Sequence, residues 1–121
     1  MKEMVYKNKW ETELLDSGVH DGYEYAIVST GSHPCAYVKL PEEHKYYGVD
    51  YDDIPVKFCY GLFGLSYSYD FLAVMPSHSG WWIGWEYPPY FDYGGILDSI
   101  KWTTAEILDD VKDVIGQVKK L

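Results

Sequence analysis

Arginine is missing from this chain: all ten of its basic residues are lysines, set against 19 acids, for a net charge of −9 in 121 residues. Without arginine there is no planar fork to grip phosphate or carboxylate in two places at once. The lysines form no basic run either, which disfavours direct nucleic-acid binding. Cysteine is scarce. Cys35 and Cys59 both lie in apolar, strand-like runs and read as buried free thiols of a reducing compartment. Paired Cys-x-x-Cys spacing is absent, so His33, Cys35, Cys59 and His44 or His78 do not make the pattern of a structural zinc site. No apolar run is long enough to cross a membrane, because the best stretch, 59–75, is interrupted by Asp70 and other polar residues. The first ten residues hold no apolar segment of the kind a secretory leader needs. A cytoplasmic location is therefore expected. With no repeat and no low-complexity linker, residues 1–121 read as one domain.

Aromatic residues are what the chain has in abundance, at 18% of the sequence. They concentrate between Trp81 and Tyr93, where Trp81, Trp82, Trp85, Tyr87, Tyr90, Phe91 and Tyr93 crowd into thirteen positions. Strand alternation puts Trp81, Ile83 and Trp85 on one side and Trp82, Gly84 and Glu86 on the other. Such a segment is either a strand buried on both faces or a recognition surface that shows a Trp beside a carboxylate.

Strand signals recur at Trp10–Asp16, Tyr23–Thr30, Cys35–Leu40, Val56–Tyr60, Leu62–Tyr69 and Trp81–Tyr87, separated by Gly- and Pro-rich turns at 18–22, 31–34 and 76–80. Gly61 and Gly64 suggest a bulge. Residues 41–55 form the longest loop. From Thr103 to Lys120, Ile107, Leu108, Val111, Val114, Ile115 and Val118 draw one apolar stripe at helical period. Thr103 and Glu106 have capping-box spacing, and the charges run acidic to basic along the helix dipole. A single amphipathic helix needs a sheet to cover. The expected fold is α+β, an antiparallel sheet of five or six strands with the C-terminal helix packed on one face.

No catalytic constellation stands out. Ser77-His78-Ser79-Gly80 supplies a serine and a histidine, but turn chemistry accounts for it equally well. Glu86 with Asp92, or Asp50 with Asp52 and Asp53, are candidate carboxylate pairs between aromatic walls, the minimum a glycosidase-like acid–base enzyme would need. Asp50, Asp52 and Asp53 lack the regular spacing of a calcium loop and read as a solvated acidic turn. Tyrosines interleaved with acids suit protein recognition better, since a tyrosine offers a large contact area at low entropic cost. The expected partner-binding residues are Tyr46, Tyr47, Asp50, Tyr51, Asp52 and Asp53 in one loop, and Glu86, Tyr87, Tyr90 and Asp92 around another.

Residues 23–92 carry a further pattern: Gly22-Tyr23, Cys35-Ala36-Tyr37-Val38, Pro41, His44-Lys45-Tyr46-Tyr47-Gly48, Tyr51-Asp52-Asp53-Ile54, Phe63-Gly64-Leu65-Ser66-Tyr67 and Trp82-Ile83-Gly84-Trp85-Glu86. In order and spacing this resembles a family of small phage and prophage proteins. Their pattern runs Gly-Tyr, Cys-Gly-Tyr-Val, His-Pro-x-Tyr-Gly, His-Gly-Gly-Leu-Thr-Tyr and Trp-x-x-Gly-Phe-Asp-Cys-Ala-His. The resemblance implies a phage or prophage origin and brings no established activity. Leu62, Tyr87 and Pro89 stand where that pattern has His, Cys and His, which implies that any polar site of the family is lost here.

The reading that unites these features is a non-enzymatic binding protein without cofactor or metal, acting in the cytoplasm of a bacterial host. It would present an acidic, Tyr-rich surface to a host protein with a basic surface, one that handles nucleic acid or serves defence, in the manner of an anti-CRISPR inhibitor. The alternatives are an aromatic cage for a small ligand between Trp82, Tyr87 and Glu86, and an enzyme using Glu86 and Asp92.

Overall fold

The computed structural model describes residues 13–29, 34–57, 64–87 and 104–121. Five strands, β1 (Glu13–His20), β2 (Tyr23–Ser29), β3 (Pro34–Leu40), β4 (Tyr67–Tyr69) and β5 (Trp81–Glu86), form one sheet in the order β1-β2-β3-β5-β4. Every pairing is antiparallel. Helix α1 (Thr104–Lys119) packs against β1, β2 and β3. The fold is the expected α+β sheet with one C-terminal helix on its face.

Local chemistry accounts for most of these elements. Asp21 and Gly22 both have positive φ, 52° and 85°, the conformation of a two-residue type I′ turn whose twist matches that of the flanking strands. The expected turn at 18–22 therefore shrinks to Asp21-Gly22, and β1 continues through Gly18 to His20. Leu15 is an extra residue in β1, between the Leu14–Val28 and Asp16–Ile27 pairs. In α1 the residues that turn inward are Ile107, Val111, Val114, Ile115 and Val118, all essentially inaccessible to solvent. Thr103 and Cys59 lie outside the described residues.

Two layers cover the sheet. On the helix side, Tyr25, Ile27, Ala36, Val38, Leu40, Ile83, Trp85 and Tyr87 meet the apolar stripe of α1. On the other side Ala26 and Trp82 are capped by Leu72, with Val74 and Met75 beside it. These come from residues 70–80, which cross the sheet as a strap of turns. Strand β5 is thus buried on both faces: Trp82, Ile83 and Trp85 are each 0–1% exposed and Gly84 is buried, which decides between the two readings of the aromatic segment. Gly84 is required there. A Cβ at this position would collide with the Tyr37 ring and sit 2.8 Å from the Ala36 carbonyl oxygen.

Of the expected strands at 56–60 and 62–69, residues 58–63 lie outside the described residues; among the described ones Val56 and Lys57 belong to no strand and Tyr67–Tyr69 joins the sheet. Gly64 takes φ 97°, a backbone turn that a continuous strand cannot include.

Candidate functional site

The loop after β3 is a folded element. Its chain turns back through hydrogen bonds from the His44 N–H to the Pro41 carbonyl, from Tyr47 to His44 and from Val49 to Tyr46, and ends in a short 3-10 helix, Tyr51–Asp53. Asp50 caps that helix by accepting from the Asp52 N–H at 3.3 Å. Three contacts tie the loop down: the Trp81 indole N–H donates to the Val49 carbonyl at 2.9 Å, the Tyr51 N–H donates to Ser68 Oγ at 3.0 Å, and Ile54 is buried in the core. His44 completes the anchoring. Its Nδ1 accepts from the Tyr46 N–H at 3.0 Å while Nε2 lies 2.7 Å from the Val118 carbonyl at the end of α1. That pairing assigns Nε2 as the protonated nitrogen.

Anchored in this way, the loop turns its acids outward. Glu42, Glu43, Asp50, Asp52 and Asp53 are exposed, and so is Asp70 just beyond β4. Lys45, the one lysine between residues 41 and 54, sits over the Tyr46 ring at 5.5 Å. Tyr46, Tyr47 and Tyr51 are half-buried. Tyr46 packs on the main core, and Tyr47 tilts against Trp81 with 6.5 Å between ring centroids. The tyrosines therefore serve partly as footing and partly as surface.

The second half of the expected surface is placed elsewhere. Glu86 is exposed, but it pairs with Cys35 at one end of β5, whereas Trp81, beside the loop, pairs with Leu40 at the other. Five residues of strand put the two about 17 Å apart. Tyr87 corrects the surface reading outright. It is fully buried, accepting from Trp85 Nε1 at 2.9 Å and donating to Asp110 Oδ2 at 2.6 Å. Trp82 is equally buried on the opposite face. No cage forms between Trp82, Tyr87 and Glu86, because the sheet separates the two rings. Tyr90 and Asp92 lie outside the described residues, and the Glu86–Asp92 pair with them.

His44 and His78 both have hydrogen-bond partners, and Cys35 is a buried free thiol. Burial, reinforced by the Glu86 charge, pushes the Cys35 thiol up to about 11, which leaves it a poor nucleophile and a poor ligand. His78 Nδ1 lies against Glu24 Oε2, and no serine hydroxyl bonds the ring among the described residues. Among those residues no group of three or more His, Cys, Asp or Glu is placed to hold a metal, and no helix is long and apolar enough to cross a membrane. His33 and Cys59 lie outside them.

Sequence reasoning missed two groups. The first is Glu24, Lys39 and His78. The register that sets Tyr25 opposite Val38 brings Glu24 level with Lys39 on the strap side. Lys39 Nζ lies 2.7 Å from Glu24 Oε1. Burial works against the charge of Glu24, but the hydrogen bonds and positive charges of Lys39 and His78 outweigh it and hold the carboxyl below its ordinary range. The second is a cleft of about 460 Å³ at the acidic end, lined by Lys39, Leu40, Pro41, Glu42, Tyr47, Asp70, Ser79 and Gly80. Alternation in β2 and β3 was a weak signal for the first group. Nothing local announces the cleft, which joins residues about 30 positions apart.

Comparison of the chain with models of known protein families, with curated proteins and with solved structures finds no match.

Proposed function

We propose that this protein works by binding: its acidic end occupies a basic groove of a partner that handles nucleic acid, and so blocks it. The observation that carries this reading is the set of six exposed carboxylates at one end of the sheet, with Glu42, Glu43, Asp50, Asp52 and Asp53 on a loop that is already folded and Asp70 just beyond β4. A pre-ordered loop loses little conformational entropy on association. Concentrated charge of one sign steers encounter with an oppositely charged groove. The resemblance to small phage and prophage proteins suggests the setting, a bacterial host protein of nucleic-acid handling or defence, with a CRISPR effector as the type of target.

The supporting surface is narrower than the sequence suggested. Tyr47, Asp52 and Asp53 with Glu42, Glu43 and Asp70 carry it, while Asp50 is committed to capping. The test is affinity capture from host lysate with the parent protein and with Glu43→Lys/Asp52→Lys/Asp53→Lys. The parent is expected to enrich a basic nucleic-acid-binding protein and the variant to lose it. Equal recovery by both, or recovery of no macromolecule by the parent, would overturn the reading.

A further inference from the structure

The cleft at the acidic end lies between two walls. Glu42 and Tyr47 come from the folded loop; Asp70, Ser79 and Gly80 come from the two ends of the strap. Its charge is one-sided. Neither the Glu42 nor the Asp70 carboxylate has a hydrogen-bond or ion-pair partner among the described residues. Lys39, which also lines the cleft, turns its ammonium to Glu24 and leaves its aliphatic stem as lining. That stem packs on Gly80, which has φ 153°; a Cβ there would come within 2.9 Å of the Lys39 stem. The absent side chain keeps this side of the cleft open. Tyr47 adds an aromatic ring, steadied by Trp81.

We propose that this cleft seats one long basic side chain, a lysine or arginine of the macromolecular partner. The match is chemical. An extended apolar stem can lie along Pro41 and the Lys39 methylenes, while its cationic head meets two carboxylates and a ring face, all of which favour a cation. A phosphate or carboxylate ligand would meet like charge. This assignment rests on the proposed function for the source of the cation, since a free polyamine shares the chemistry.

The test is an NMR titration of the full chain with Nα-acetyl-arginine methylamide and its lysine counterpart, with the citrulline counterpart as neutral isostere and spermidine as free polyamine. The basic probes are expected to bind with Kd on the order of 1–10 mM, as for a small isolated fragment. The shifts should centre on Tyr47, Asp70, Ser79 and Gly80. Glu42→Gln/Asp70→Asn should weaken binding about fivefold, as befits two exposed charge contacts, with its remaining spectrum unchanged. Citrulline binding as tight as arginine, or shifts of equal size in the double variant, would overturn the cleft assignment. Spermidine binding at least about tenfold tighter than the arginine probe, a gap of about 1.4 kcal/mol, would overturn the partner side chain as its occupant. The two proposals fail separately. A lysate that yields no partner while the arginine probe still binds removes the blocking function, whereas a captured partner indifferent to Glu42→Gln/Asp70→Asn removes the cleft.

Discussion

Asp110 is the residue whose environment is most at odds with its charge. It is 7% exposed on the inner side of α1 and is engaged by Tyr87. Burial raises its carboxyl above the ordinary value, the Tyr87 hydroxyl opposes this, and the charges of Asp113, Asp109 and Glu106 add to it. A carboxyl whose folded value is raised stabilises the fold when protonated and loses that contribution as pH rises through the folded value. Asp110→Asn keeps an acceptor for Tyr87 and is expected to melt at or above the parent temperature at pH 7, with the advantage shrinking as the buffer is acidified. Asp110→Ala leaves the buried phenol without its acceptor and should cost about 1–3 kcal/mol. Denaturant melts of both variants at pH 7 and pH 4 check the pair; a strongly destabilised Asn variant would contradict the account. Glu24 has the opposite sign. Its folded value is lowered, so its contribution is complete above the unfolded value of about 4.3 and disappears as pH falls through the folded one. Glu24→Gln should therefore destabilise the protein at pH 7 and match the parent in acid.

Among the elements, α1 and the first hairpins were legible for physical reasons. The stripe from Ile107 to Val118 has a single period, and Asp21-Gly22 is a turn signal with one geometry. Val111 is fully buried between α1 and the sheet, and Val111→Asp is expected to cost about 3–5 kcal/mol by burying an unpaired charge; cooperative melting at the parent midpoint would contradict the helix-on-sheet packing. The strap at 70–80 was not legible. Leu72, Val74 and Met75 have neither helical nor strand period, and they find Trp82 and Ala26 only because β5 is inserted between β3 and β4. Among the described residues of the expected strand at 62–69, Tyr67–Tyr69 joins the sheet and Gly64 turns out of the extended backbone. The loop was recognised as acidic and Tyr-rich but not as folded. Trp81, left open between core and surface by the sequence, holds it through Val49. Trp81→Phe keeps the ring and removes the indole donor, so amide exchange at 47–53 should quicken while that of α1 is unchanged. Unchanged protection in the loop would mean that the bond does not anchor it.

For the whole molecule, charge and topology combine. Strand β5 is buried on both faces, and the end of the sheet beside Trp81 carries six exposed carboxylates while Glu86 stands at the far end. Tyr87 shows why sequence alone overestimated the surface. Tyrosines in a polar-looking segment have the same composition whether they face solvent or close a hydrogen-bonded core. The claim that matters most is that the acidic end substitutes for nucleic acid on a basic groove. The measurement is competition: the captured partner is loaded with labelled duplex DNA and titrated with this protein at about 0.15 M salt, a Debye length of about 8 Å. The account predicts that DNA is displaced as the protein binds, and that Glu43→Lys/Asp52→Lys/Asp53→Lys displaces it poorly. A stable ternary complex of partner, DNA and protein would contradict it.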